Sequence, residues 1–174
     1  EMVPGLLSSL QFPKFMTWEE TGFKFGRPLR AITAMYGKEL VEVRSIAGIK
    51  AGLEVYGHPT YAPKPRKMED PSQHLALLRA GHVLADPAER REALLAGLAA
   101  AGKEAGGKPD LDEELVDETV FMAERPTPVV GRLRAEHMPL PAALLKMVMK
   151  KQLKFFPVVD DAGVPLPDGE VGEL

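Results

Sequence analysis

Hydrophobic and polar positions change rhythm along this chain, and the change divides it. From Leu29 to Tyr36 apolar residues run together with β-branched ones among them, and Leu40-Val41-Glu42-Val43-Arg44 then alternates. Alternation marks a half-buried strand, so the two runs predict a hairpin turning around Tyr36 to Glu39. Ala47 to Gly52 reads as a glycine-punctuated crossing, Leu53 to Tyr56 as a further short strand, and Tyr61 to Arg66 as a loop. After that the period becomes helical. Asp70-Pro71 supplies an acidic cap with proline in the first turn, and Leu75, Leu77 and Leu78 give an apolar side before Gly81. Asp86-Pro87-Ala88-Glu89 opens a long alanine-leucine helix to about Ala101. Gly102, Gly106 and Gly107 read as a flexible link. Leu111 to Met122 predicts an acidic helix with Leu111, Leu115, Val116 and Thr119 on one face. Val129-Val130 and Phe155 to Val159 read as strands, Pro141 opens the last helix, and Asp160 to Gly163 forms a tight turn.

The sum predicts an α+β fold, mainly antiparallel sheet with a helical middle segment. Its expected parts are a β-rich 1–68, a helical 69–125, and a helix plus strand over 126–174 that returns to the sheet. Together they read as one domain with a helical subdomain. Pro165 to Leu174 trails off in proline, glycine and acids, and the chain reads as an internal piece of a longer protein.

Composition narrows this little. The hydrophobic fraction of 45% and charged fraction of 27% in 174 residues are ordinary for a globular domain. With no cysteine, disulfides and thiolate metal sites are excluded, which fits a reducing cytoplasm. No apolar run approaches the roughly 18 residues of a membrane span. The net charge of −3 is unevenly spread: residues 1–68 carry 10 Lys/Arg against 6 Asp/Glu, and residues 69–136 carry 8 against 14. A basic first third facing phosphates and an acidic middle facing water or protein is the expectation.

Candidate chemistry is sparse. Phe12-Pro13-Lys14-Phe15-Met16-Thr17-Trp18 sets the only tryptophan near a cation and a proline, so it predicts a rigid extended lead-in. Trp18 is expected in the core, and Lys14 is the position to test for binding. Arg27 and Arg30 are further phosphate candidates. Lys146, Lys150 and Lys154 recur every four residues and share a helix face with Lys151 adjacent. That face reads either as solvated or as a phosphate contact. His58 after a strand reads as structural or as a phosphate contact. The histidines lack ligand spacing, so no metal is expected. No phosphate loop, nucleophile or catalytic pair is visible, and no catalytic residue is assigned.

Several blocks resemble the β subunit of bacterial heterotetrameric glycyl-tRNA synthetase (glycine–tRNA ligase). The family pattern is F-P-K-S-M-R-W, then a phenylalanine shortly before R-P. Phe12 to Trp18 and Phe25-Gly26-Arg27-Pro28 are similar to it. Ile46-Ala47-Gly48-Ile49-Lys50-Ala51-Gly52 resembles I-A-G-x-K-S-G, and Gly57-His58-Pro59-Thr60 resembles G-H-R-F. Val83 to Arg91, Leu115 to Pro126, Leu140 to Leu145 and Lys151 to Pro157 follow in the family's order. Departures stand at Phe15, Thr17, Pro59, Thr60 and Lys151, where the family has Ser, Arg, Arg, Phe and His.

The resemblance implies a non-catalytic module serving tRNA recognition and subunit support in the cytoplasm, with no cofactor of its own. It implies an α subunit that uses ATP and Mg²⁺ to activate glycine, and tRNA-Gly as the other partner. The tRNA-binding candidates are then Lys14, Arg27, Arg30, Lys50, His58, Lys146, Lys150 and Lys154. Arg27-Pro28-Leu29-Arg30 is also weakly similar to the B3/B4 region of phenylalanyl-tRNA synthetase β chains. That likeness gives an alternative, a hydrolytic editing domain for mischarged tRNA. A purely structural scaffold is the third expectation.

Overall fold

The structure is a computed structural model that describes residues 2–173, except the side chains of 135 and 167–173. The chain divides into two compact units, residues 1–83 and 84–174. This differs from the expected parts 1–68, 69–125 and 126–174. The reason lies in what the helices pack on. The helix of residues 74–80 stays with the first unit's strands, whereas the helices after 84 cover the sheet formed by residues 108–173.

The first unit is assembled from short pieces. Helix α1 (Met2–Ser9) precedes β1 (Met16–Thr17) and β2 (Lys24–Phe25), which pair antiparallel. The expected hairpin is present as β4 (Met35–Tyr36) against β5 (Glu39–Leu40), following β3 (Ile32–Thr33). The alternation from Val41 onward does not extend it. Strand β6 (Ala51–Gly52) runs parallel to β3, and β7 (Glu54–Val55) pairs antiparallel with β8 (Arg66–Lys67).

Asp70 caps the next turn by accepting from the Ser72 backbone N–H at 3.0 Å, and the chain continues as α2 (His74–Ala80). Leu75, expected on the apolar side, is 57% exposed; Leu77 and Leu78 are half-buried. Gly57 and Gly81 meet backbone to backbone. A Cβ on Gly57 would lie 2.5 Å from the Gly81 carbonyl oxygen, so neither position has room for a side chain.

The second unit has a conventional core. Asp86 accepts from the Ala88 N–H at 2.8 Å and starts α3 (Pro87–Glu104) with proline in the first turn. Helix α4 (Glu113–Met122) begins at Asp112, whose side chain accepts from the Leu115 N–H at 3.2 Å. Leu115, Val116, Thr119 and Val120 are its buried face, while Leu111 precedes the helix and is 47% exposed.

The glycines between these helices are no flexible link. Gly102 is buried within α3, and a Cβ on Gly107 would sit 2.6 Å from the Val159 carbonyl oxygen. Both let the backbone close onto a sheet. That sheet has four strands in the order β10 (Pro128–Gly131), β12 (Pro165–Glu173), β11 (Phe156–Val159) and β9 (Lys108–Pro109), all antiparallel. Leu94 and Leu98 of α3 pack with Leu115, Val116 and Val120 of α4 and with Phe156 and Val158 of β11.

Two elements here differ from expectation. Residues 165–173 do not trail off but form the inner strand β12, with ladders on both sides. Proline at the first position of a strand loses no ladder bond, so the proline-glycine composition misleads. The last helix, α5 (Ala142–Met147), continues as a π-helix over Val148–Leu153 and ends at Lys154 with φ 58°.

Candidate functional site

The signature segment builds a small aromatic cluster in the first unit. Phe12 meets Phe25 edge-on at 4.7 Å between ring centroids and Phe15 at 5.6 Å. Phe23 stacks on Phe25 at 5.9 Å. Trp18 joins them through its indole N–H, which donates to the Phe25 carbonyl at 3.0 Å. It is not a core residue: 42% of it remains exposed. With only two-residue ladders around it, the unit has too little apolar mass to bury a ring of this size.

Trp18, Phe23, Phe25 and Arg30 line a cavity of about 190 Å³ together with Glu19 and Ile49. The Glu19 carboxylate accepts from the Thr21 hydroxyl at 2.8 Å, the Thr21 N–H at 2.6 Å and the Phe23 N–H at 3.1 Å. The Thr21 hydroxyl bond, then the Thr21 N–H, hold its pKa below the ordinary carboxylate value. One wall is the reversal Ile46 to Ile49. There Ile49 N–H donates to the Ile46 carbonyl at 2.8 Å, and Ala47 and Gly48 have φ of 53° and 74°. Both central residues left-handed is the type I′ geometry, unusual for alanine.

The candidate cations fall into two groups. Lys14, Arg27, Arg30 and Lys50 are exposed, and among the described residues none of them makes an ion pair. The lysines of the last helix are committed. Lys146 lies 2.6 Å and Lys150 3.3 Å from the Asp110 carboxylate, and Lys150 also reaches Asp112 at 3.9 Å. Lys151 pairs with Glu114 at 3.0 Å and Lys154 with Glu118 at 2.6 Å. Arg91 of α3 also bridges Glu113 and Asp117 of α4. Asp110 and Asp112 of the acidic middle are therefore largely covered by these cations. Glu113, Glu114 and Asp117 pair with cations yet stay mostly open to water, and the basic face is not simply solvated.

Partial burial pushes Asp110 up, but hydrogen bonds from Lys146 and Lys150 outweigh it and hold the group below its ordinary value. His58 closes a loop. Its Nδ1 accepts from the N–H groups of Thr60 at 3.1 Å and Tyr61 at 3.2 Å, and its ring lies 4.7 Å from that of Tyr61. Nδ1 is thereby used within the fold.

The family model for the glycyl-tRNA synthetase beta subunit matches residues 1–168. The chain belongs to that family. It is 40% identical over 163 residues to the glycine–tRNA ligase beta subunit of Anaeromyxobacter dehalogenans (strain 2CP-C), covering 93% of this chain and 23% of that relative. To the protein of the same name from Marinobacter nauticus (strain ATCC 700491 / DSM 11845 / VT8) it is 38% identical over 173 residues, 96% of this chain and 25% of the relative. To that of Desulforamulus reducens it is 32% identical over 163 residues, 94% and 23%. The chain thus spans about a quarter of the length of these relatives.

In this beta-subunit segment, sequence reasoning missed Glu19, Phe23, Phe25 and Ile49 as partners of Trp18. The alternation Phe23-Lys24-Phe25 was the available signal, since it turns both rings to one face. A larger groove of about 450 Å³ in the second unit was also missed. Its lining is mostly aliphatic, including Leu140, Leu144, Val148 and Leu153, with Arg132 and Arg134 among the polar residues. Among the described residues no three His, Asp or Glu side chains gather as a metal site requires, and no helix is long and apolar enough to cross a membrane.

Proposed function

We propose that this chain serves glycyl-tRNA synthesis as a tRNA-contacting, subunit-supporting module of a cytoplasmic glycine–tRNA ligase. ATP-dependent glycine activation, with its Mg²⁺, belongs in this reading to a separate α subunit. The family membership sets the context. The observation that carries the reading is the contrast in cation commitment. Lys14, Arg27, Arg30 and Lys50 keep their charge available, whereas Lys146, Lys150 and Lys154 spend theirs on carboxylates of residues 110–118. A cation without a protein partner gains most from a phosphate, because each neutralised phosphate releases counterions. We therefore assign phosphate contact to the first unit, and to the helix lysines and His58 the holding of their own segments.

The test is tRNA binding by the intact beta subunit as a function of salt. Charge reversal at Lys14, Arg27 and Arg30 together is expected to weaken binding at least about tenfold. It should also flatten the log–log salt slope by about two, at roughly 0.7 per lost phosphate contact. Unchanged affinity and slope would reject the assignment.

A further inference from the structure

We propose that the cavity beside Trp18 is a single-base pocket for RNA, taking one unstacked nucleobase with an amino edge while the adjoining phosphate lies on Arg30. This rests on the tRNA-contacting reading above and names the residue-level ligand. At about 190 Å³ the cavity is smaller than the roughly 300–1,000 Å³ of drug-sized sites, so it suits one planar ring and excludes a longer ligand. Its walls are the rings of Trp18, Phe23 and Phe25, which offer π-faces to a base.

Trp18 is preorganised for that role. Its N–H is already satisfied by the Phe25 carbonyl, which fixes the ring, yet 42% of its surface is open. A ring held before the ligand arrives loses little freedom on stacking.

Glu19 supplies the selectivity. Its Oε1 accepts two bonds, from the Thr21 hydroxyl and the Phe23 N–H, and its Oε2 accepts one, from the Thr21 N–H. A carboxylate has about four acceptor sites, so Oε2 retains one. An anionic acceptor inside an aromatic slot favours a base edge carrying an amino group, as in cytosine, adenine and guanine. It disfavours uracil, whose single imide N–H is flanked by two carbonyls. The same carboxylate keeps phosphate out of the slot, and Arg30, at the cavity wall with no ion pair among the described residues, takes it instead. The left-handed Ala47 also lines the cavity, a strained backbone position of the kind that gathers at ligand sites.

Trp18 is the chain's single tryptophan, so its emission reports the pocket. In the intact beta subunit the Trp18 signal is obtained as the difference from a Trp18→Phe variant. Titration uses short oligo(C), oligo(A) and oligo(U) RNAs. The expected result is quenching by oligo(C) and oligo(A) with affinities about fivefold or more above oligo(U), within the reach of one base-edge hydrogen bond. Arg30→Ala should weaken all three RNAs alike, and Glu19→Gln should erase the preference. Equal quenching by oligo(U) overturns the base-edge assignment, and this outcome depends on no variant other than the Trp18→Phe reference. Absence of quenching by any RNA, with salt-dependent tRNA binding intact, overturns the pocket and leaves the tRNA-contacting reading standing. Loss of both overturns both. Quenching by an aromatic peptide but by none of the RNAs would assign the cavity to a protein partner and reject the proposal.

Discussion

The two units hold their shape by different means, and the difference separates the residues that carry the fold from those left available for binding. In residues 84–174 Leu94 and Leu98 of α3 are almost wholly buried, four strands share one sheet, and the lysines of the last helix are paired with carboxylates. In residues 1–83 the ladders are two residues long, and shape comes from edge-on aromatic contacts, capped turns and a glycine–glycine approach. A side chain already committed to its own fold makes a poor ligand contact, and one left in solvent is available. The first unit is therefore where recognition is to be sought, and the second where stability is to be sought.

The contrast breaks most readily at the core. Leu98 is 1% exposed, and Leu98→Ala is expected to destabilise the second unit by about 3 kcal/mol through lost burial and the cavity left behind. The check is a denaturant curve followed by far-ultraviolet circular dichroism, with Trp18 emission recorded in parallel. An equal shift in both signals would mean that the units unfold together, and the contrast would then be one of composition only.

Next comes Gly57→Ala, where the new Cβ meets backbone at Gly81 and no flexible side chain can give way. About 2 kcal/mol is expected, read from the Trp18 transition. A loss below a few tenths would show that the first unit yields easily at this contact.

The smallest effect concerns Asp110. Its folded pKa lies below its ordinary value of 3.8, so its stabilisation is complete above that value and is lost as pH falls through the lowered folded value. Asp110→Asn should cost about 1 kcal/mol at neutral pH, kept small by solvent at the site, and should flatten the acid limb of the stability curve. A variant whose acid limb matches the parent's would remove the lysine strip from the list of things that hold α5 in place.

Local signals were legible in the sequence and distant ones were not. Asp70, Asp86 and Asp112 each cap the residues immediately following them, so a few positions of sequence suffice. The hairpin at Tyr36 to Glu39 and the turn at Asp160, whose carboxylate accepts from Ala162 and Val164, are equally local. Pairing of Lys154 with Glu118 joins positions 36 apart, and no periodicity in either helix reveals it. Leu75 and Leu111 were placed on apolar helix faces from spacing alone, but burial depends on what another element covers. The family blocks were readable as a pattern, yet the pattern did not say that Trp18 would stand open over a cavity.

The order of the sheet has a consequence for synthesis. Strand β12, the last of the four in the chain, lies between β10 and β11, which precede it. On the ribosome, a nascent chain ending before Pro165 carries two half-made edges that face one another across an empty lane. Such edges invite pairing with other chains. The second unit is thus vulnerable until its final strand has left the exit tunnel. A pause in translation just before that strand is where this protein would most need a chaperone.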